Sequence, residues 1–185
     1  MKRYLSFLLA VVILLAVHEG MHALVAAFYG EYESFHIRPL GFEVSFRTAI
    51  DERRGIQWAL ISGAGNLVTL LLGYWLLVLG ERFTCLPSLF LKATLFYLTL
   101  LSLLADPFNL SIGPFIYGGD ANGIAVGLGI NRYIIQVMFV LILLVNRELV
   151  AQKLFAIYNI KVKHILFRPL IPLRRHRPSK IDGRH

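Results

Sequence analysis

Long apolar segments alternate with short polar stretches along most of the chain. The first runs from Tyr4 to Phe28, roughly 37 Å of helix, which is long enough to cross the hydrocarbon core of a bilayer. Gly30 is predicted to end this helix. Two further apolar segments cover about residues 55–79 and 88–105, and each predicts another membrane-spanning helix.

A Pro- and Gly-rich segment, residues 106–120, follows the third predicted span. Its prolines and glycines cannot continue a regular helix, and irregular backbone at membrane depth is tolerated only where protein or a wet cavity surrounds it. A site is therefore expected here. A helix should restart near Asp120, merge through Asn131-Arg132 into a fourth span that ends near Val145, and be followed by an interfacial helix to Tyr158.

The polar stretch between the first two spans alternates apolar and polar side chains over residues 35–38 and 42–47. Because the alternation flanks Pro39-Leu40-Gly41, it predicts a short β-hairpin at the membrane surface. The hairpin either offers a sheet edge to an extended peptide or simply connects the two spans. The fold class is thus an all-α integral membrane protein of about four spans, with one hairpin and one broken segment.

Composition supports lipid as the solvent, since 57% of the residues are hydrophobic and 16% are charged. Residues 1–158 are predicted to form a single transmembrane domain, and residues 159–185 a basic tail that carries much of the net charge of +8. The tail favours contact with anionic lipid, and no nucleic-acid partner is expected. Arginines also lie in the first connecting loop, so the positive-inside rule points both ways. The sequence therefore leaves the orientation of the protein in the membrane open. Cys85 stands alone, which excludes an internal disulfide.

The candidate chemistry lies in His18-Glu19-Gly20-Met21-His22, inside the first span. Residues four apart share one helix face, so the two imidazoles converge while Glu19 projects beside them. This is the HExxH geometry of zinc hydrolases. Ionisable groups at membrane depth cost several kcal/mol each and usually have a function there. The alternative is a chance spacing of core histidines.

A catalytic zinc takes three protein ligands and keeps one position open. The first and third spans run parallel, so the histidines and the segment 106–120 reach the same side of the membrane. Asp106 and Asp120 are both candidates for the third ligand. Asn66 lies in a cluster of small residues in the second span, where the first helix is expected to pack, and serves either as an interhelical hydrogen bond or near the metal.

Three motifs together resemble the site-2 protease family of intramembrane zinc metalloproteases, in its small prokaryotic form. They are the HExxH sequence, the run Gly63-Ala64-Gly65-Asn66, and the order Asn109, Pro114, Asp120, Gly123. The last motif is stretched here, and Ala121-Asn122 follow Asp120. The resemblance implies Zn²⁺ held by His18, His22 and Asp120, with Asp106 as the alternative to Asp120.

The same resemblance implies what the other residues and partners do. Glu19 would be the catalytic base, and Asn66 and Asn109 would orient the substrate or the developing oxyanion. The substrate would be a transmembrane protein or peptide, and the protein would reside in a prokaryotic cell membrane as a multi-pass protein. Two other functions stay open: a membrane metal-ion transporter, and a catalytically inactive relative that binds a membrane partner.

Overall fold

The computed structural model describes residues 2–38, 41–116, 119–162 and 164–171. Within them, four helices are long and apolar enough to cross a membrane, which confirms the predicted mostly helical fold with a hairpin after the first helix. The main helices are α1 (Lys2–Phe28), α2 (Ile56–Val78), α4 (Leu89–Ser111) and α6 (Arg132–Leu149), with shorter α3 (Gly80–Thr84), α5 (Gly119–Leu128) and α7 (Phe155–Ile157).

Helix α1 ends as predicted at Gly30, whose φ of 74° lies in the left-handed region that favours glycine. The N–H of Gly30 bonds to the carbonyl of Ala27 at 3.1 Å, and the N–H of Glu31 bonds to that of Ala26 at 2.8 Å. This pair of bonds is a Schellman motif, which satisfies carbonyls at the helix end. The chain thereby turns directly into the hairpin.

The predicted hairpin is confirmed as strands β1 (Tyr32–Arg38) and β2 (Gly41–Phe46), paired antiparallel. Phe35 lies opposite Val44, and Val44 is buried because β2 packs against α1. The predicted turn residues Pro39 and Leu40 lie outside the described residues. The hairpin is therefore held next to the histidine-bearing half of α1.

The helices pack as a bundle in which α1 contacts α2 and α4, α2 contacts α4 and α5, and α4 contacts α6. Small residues allow these close approaches. A Cβ on Gly73 would lie 2.9 Å from Cβ of Ser102, and a Cβ on Gly127 would lie 2.1 Å from the backbone nitrogen of Ala59. In lipid no hydrophobic force brings helices together, so close backbone packing of this kind stabilises their association.

The expected end of the third span at Ala105 is wrong, because α4 continues through Pro107 to Ser111. Proline has no N–H, so the carbonyl of Leu103 loses its partner within the helix. Asn146 on α6 supplies the missing donor, with Nδ2 2.8 Å from that carbonyl, and the hydroxyl of Tyr74 donates to Asn146 Oδ1 at 2.7 Å. Three helices therefore meet at this proline.

The irregular segment is consequently shorter than predicted. After α4 it contains the 3₁₀ turn Gly113–Phe115, and α5 begins at Gly119. Tyr117 and Gly118 lie outside the described residues. The expected merger of the restarted helix with the fourth span is also wrong: α5 ends at Leu128, and Asn131 caps a new helix by accepting the N–H of Tyr133 at 2.9 Å.

The fourth span does not end near Val145, and no separate interfacial helix follows it within the described residues. The helix runs from Arg132 to Ile157 through a π-helical turn at Val150–Leu154. The polar residues expected to end it find protein partners instead. Arg147 Nε donates to the carbonyl of Leu166 at 2.6 Å, and Glu148 accepts the N–H of Leu170 at 3.1 Å. Residues from 172 onward, most of the predicted basic tail, lie outside the described residues.

Candidate metal centre

Helix α1 presents His18 and His22 on one buried face, four residues apart. His18 is 7% exposed and His22 is 4% exposed, and the Nε2 atoms of the two rings lie 3.1 Å from each other. Gly65 on α2 makes this burial possible, since a Cβ there would lie 2.6 Å from both the His18 carbonyl oxygen and His22 Nε2. The predicted packing of the first helix against the small residues of the second is therefore what encloses the histidine pair.

Asp120 brings a carboxylate to the same two nitrogens from the first turn of α5. Its Oδ2 lies 3.4 Å from His18 Nε2 and 3.5 Å from His22 Nε2. Asn66 Nδ2 donates to the same oxygen at 2.9 Å. Burial alone would raise the pKa of the Asp120 carboxyl, but the two imidazoles, when they are protonated, hold it well below its usual range.

The opposite nitrogen of each ring is engaged by a different group. His22 Nδ1 lies 2.6 Å from the carbonyl oxygen of Ile61, and His18 Nδ1 lies 3.1 Å from Asp106 Oδ1. The hydroxyl of Thr69 donates to the other oxygen of Asp106. A carbonyl and a carboxylate can only accept, so both Nδ1 atoms carry the proton that they donate.

A neutral histidine that is protonated at Nδ1 has a lone pair at Nε2. His18 Nε2, His22 Nε2 and Asp120 Oδ2 would then be three mutually facing acceptors within 4.8 Å. Three atoms that each direct a lone pair at the others repel one another unless a proton or a cation lies between them. A single proton can bridge the two Nε2 atoms, which are 3.1 Å apart, but it leaves the carboxylate oxygen without a donor from either ring. The arrangement therefore suits a cation.

The distances between the three atoms are compatible with a small tetrahedral metal ion, for which zinc serves as the example. Tetrahedral zinc with bonds of about 2.0–2.1 Å separates its ligand atoms by roughly 3.3–3.4 Å. The observed separations are 3.1, 3.4 and 3.5 Å. Two imidazoles and one carboxylate form a catalytic type of donor set, which leaves a fourth position open. The residues present thus fit zinc in number, chemistry and spacing.

Glu19 lines a cavity of about 340 Å³ beside this cluster. The cavity is walled by polar and charged residues of α1, α2 and α5 on one side and by the hairpin on the other. Its lining includes Glu19, His22, Ser62, Asp120, Asn122, Glu43, Phe46 and Arg53. Glu19, His22 and Asp120 therefore border the same space.

The other predicted site residues occupy distinct positions. Asn66 is 2% exposed and bonds to Asp120, and its Oδ1 finds no hydrogen-bond partner among the described residues. Asp106 contacts the outer nitrogen of His18, whereas Asp120 contacts the inner one. Asn109 lies half-buried on α4, three residues after Asp106, and its assignment stays a prediction.

Sequence reasoning did not identify Thr69 or the Ile61 carbonyl as part of the site. Both lie on α2, one turn or so on either side of Asn66: the Ile61 carbonyl contacts His22, and Thr69 contacts Asp106. A backbone carbonyl leaves no trace in a sequence pattern. Thr69 is a polar residue in an apolar span and lies three residues after Asn66, on the same helix face. This spacing is the sequence feature that could have indicated Thr69 as part of the site.

Comparison of the whole chain with protein-family models, curated proteins and solved structures gave no match. The assignment of a function therefore depends on the residues and distances of the site itself.

Proposed function

We propose that this protein is an intramembrane zinc metalloendopeptidase of the site-2 protease type, which hydrolyses peptide bonds within or next to transmembrane segments of membrane-tethered substrates. The observation that supports it most is the convergence of His18 Nε2, His22 Nε2 and Asp120 Oδ2 beside a cavity that Glu19 lines. Metal ligands and a carboxylate base in one cavity are the two parts that metal-assisted hydrolysis needs.

We further propose that the bundle resides in a membrane, as a multi-pass protein of a prokaryotic cell. Large apolar side chains cover the outer surfaces of its long helices. Contact of these side chains with water would be unfavourable, whereas contact with lipid acyl chains would not. Examples are Leu5, Leu8, Leu67, Leu71, Val137 and Leu141. The basic tail would add contacts with anionic lipid.

His18, His22 and Asp120 would hold one zinc ion. When bound there, zinc would lower the pKa of a water molecule toward neutrality and polarise the carbonyl of the scissile peptide bond. The buried surroundings strengthen such electrostatic effects, since little water screens them. The two histidines and the aspartate serve only to hold the ion and keep one position open.

Glu19 performs the proton transfers. Its carboxylate accepts a proton from the attacking water as the C–O bond forms, and then delivers that proton to the leaving amine nitrogen as the C–N bond breaks. Glu19 follows His18 directly, so its side chain leaves the helix beside the imidazoles and enters the cavity. No second acid is required for the reaction to balance.

The surrounding polar groups position the ligands. Asp106 and the Ile61 carbonyl each hold one imidazole through Nδ1, which fixes the ring that presents Nε2. Asn66 steers the Asp120 carboxylate through a bond of 2.9 Å. Asn66 and Asn109 are kept as candidates to orient the substrate or the developing oxyanion, on the resemblance to the family alone.

A transmembrane substrate has to unwind locally before cleavage, because its carbonyls are already hydrogen-bonded within its own helix. The cavity between the hairpin and the helices would supply polar partners for an unwound segment and would admit water to the residues that line it. The hairpin therefore separates the catalytic residues from bulk solvent without sealing them.

The substitution Glu19→Gln tests the proposal. We expect the purified variant to retain zinc, because no ligand is changed, and to lose cleavage of a model transmembrane substrate by at least about a hundredfold. Glu81→Gln, an exposed glutamate on α3, is the matched control and should retain normal activity. Normal cleavage by Glu19→Gln would refute the catalytic assignment.

The two alternative functions give different results in the same experiment. A metal transporter would move zinc across a vesicle membrane. It would not cut the substrate, whether unmodified or carrying Glu19→Gln. An inactive relative would do neither. Cleavage by the unmodified protein, together with its loss in Glu19→Gln, is expected of the endopeptidase alone.

A further inference from the structure

Arg53 is held in a fixed position between the hairpin and α2. Its guanidinium carbon lies 4.9 Å from the ring centre of Phe46 and 4.4 Å from that of Trp58. Its Nε donates to the carbonyl of Thr48 at 3.2 Å. Two aromatic contacts and one hydrogen bond leave a long, flexible side chain little freedom, so the guanidinium plane is oriented in advance.

This cation has no acidic partner in the described part of the chain. None of the ion pairs there includes Arg53. Glu31 acts on it only at longer range, and Glu31 Oε2 already accepts the N–H and the hydroxyl of Thr48, at 3.3 and 2.7 Å. Burial lowers the pKa of Arg53, as is typical of a cation that has lost water without gaining an anion.

Arg53 also lines the cavity that contains Glu19 and the metal-facing atom of Asp120. Every other charged residue among the described lining residues is acidic: Glu19, Glu43 and Asp120. Apart from the imidazole of His22, a proposed metal ligand, the guanidinium is the one basic side chain of that described lining. An anion drawn into the cavity would be attracted to the guanidinium and repelled by the carboxylates of Glu19 and Glu43.

Helix α2 begins at Ile56, only three residues after Arg53, and no side chain caps its first turn. The unpaired N–H groups of a helix start carry partial positive charge, which adds to that of a nearby guanidinium. The sequence thus places two sources of positive potential at the same end of α2.

We propose that Arg53 is a specificity residue that binds a carboxylate of the peptide substrate. A planar guanidinium matches a carboxylate with two parallel hydrogen bonds, and Nε, which bonds Thr48, leaves the terminal NH₂ groups for this purpose. The protein would then prefer membrane peptides that carry a carboxylate close to the scissile bond. This inference rests on the proposed peptidase function, because it concerns the same cavity.

The carboxylate has two chemical sources. It is either the free C-terminus of a membrane peptide that an earlier hydrolysis released, or the side chain of an Asp or Glu that flanks the apolar segment. Both present the same two oxygens to Arg53. A panel of three peptides of one apolar sequence separates them: one with a free C-terminus, one with a C-terminal amide, and one amide with a Glu near its end.

Binding is measured with fluorescently labelled peptides and the full chain carrying Glu19→Gln, in neutral phosphatidylcholine nanodiscs, so that no cleavage disturbs the reading. We expect the free acid, the Glu-containing amide, or both to bind at least about tenfold more tightly than the plain amide. Adding Arg53→Gln should remove the preference, and Arg53→Lys should restore part of it. Arg54→Gln, an exposed neighbouring arginine, should leave it unchanged.

Equal binding of all three peptides, or a preference that survives Arg53→Gln, would overturn the proposal and leave Arg53 as a residue that only packs the hairpin against α2. Trp58 fluorescence, measured in a Trp75→Phe background, and the thermal midpoint of each variant show whether the hairpin is still docked.

The failure of this inference is distinguishable from failure of the proposed function. If the peptides bind with a carboxylate preference but the unmodified protein never cleaves them, the peptidase proposal fails and the binding site stands. If the unmodified protein cleaves all three peptides with the same KM and kcat, the peptidase stands and the role of Arg53 is wrong.

Discussion

His18 and Asp106 face each other on the side of the imidazole that points away from the other histidine: Nδ1 of the ring lies 3.1 Å from Oδ1 of the acid. The inner nitrogen, Nε2, is thereby directed at His22 and Asp120. The two aspartates that the sequence offers as alternative third ligands thus occupy opposite sides of one ring. In the proposed metal centre, Asp120 contacts the ion and Asp106 orients the histidine ligand.

Asp106→Asn should weaken zinc binding by about 10- to 100-fold without abolishing it, because a histidine loses its charged hydrogen-bond partner but all three ligands remain. Competition with a coloured chelator measures the affinity. Asp51→Asn, an exposed aspartate, is the matched control. Complete loss of zinc from Asp106→Asn, with retention in Asp120→Asn, would exchange the roles of the two acids.

Gly65→Ala should disrupt the centre although residue 65 bears no ligand. The added Cβ would lie 2.6 Å from His22 Nε2 and from the His18 carbonyl, so α1 and α2 would have to separate. Overpacking of this kind costs about 1–3 kcal/mol. We expect a lower thermal midpoint in detergent and reduced zinc content.

Gly63→Ala is the matched control for that change. The residue lies on the same helix two positions away, and its new Cβ would meet only Ile124 side-chain atoms at 3.8 Å or more. It should keep both zinc and stability. If the two alanine variants behave alike, the close approach at Gly65 is not what holds the histidines together.

Gly127→Ala should reduce zinc content by displacing α5 as a whole. The new Cβ would lie 2.1 Å from the backbone nitrogen of Ala59 on α2, and backbone cannot move aside as a side-chain end can. Since Asp120 lies on the same short helix, its carboxylate would shift away from the histidines. Zinc analysis and thermal melting test this. Full zinc occupancy in the variant would show that Asp120 is positioned independently of α5 packing.

Asn146→Leu should destabilise the protein by about 1–3 kcal/mol, because it leaves the Leu103 carbonyl without a donor in the bundle interior. Its effect should depend on Pro107. In a Pro107→Ala background the alanine N–H can bond to Leu103, so Asn146→Leu should cost much less there. A double-mutant cycle of unfolding free energies measures this coupling. Additive effects would mean that Asn146 and Pro107 act separately.

Features of local origin could be predicted from the sequence. Residues four apart share a helix face whatever surrounds the helix, so the pairing of His18 and His22 followed from their spacing. The hairpin followed from period-two alternation around a turn, and the end of α1 followed from Gly30. These depend on a few consecutive residues and are the same in any tertiary context.

Features that depend on distant partners could not be predicted. Pro107 indicated a break, but Asn146, far along the chain, satisfies the carbonyl that the proline leaves open. The polar residues Arg147 and Glu148 indicated a helix end, but the backbone of the following segment binds them. The position of Asp106 on the outer side of His18 depends likewise on how α4 packs against α1, which no short pattern contains.

The most direct test of the metal centre is the zinc content of the full chain purified without chelators and supplied with zinc, compared with that of Asp120→Ala and His22→Ala. We expect stoichiometric zinc in the unmodified protein and almost none in either variant, with both variants still folded by circular dichroism. An unmodified protein that binds no zinc, or variants that bind as much as it does, would contradict the proposed metal centre.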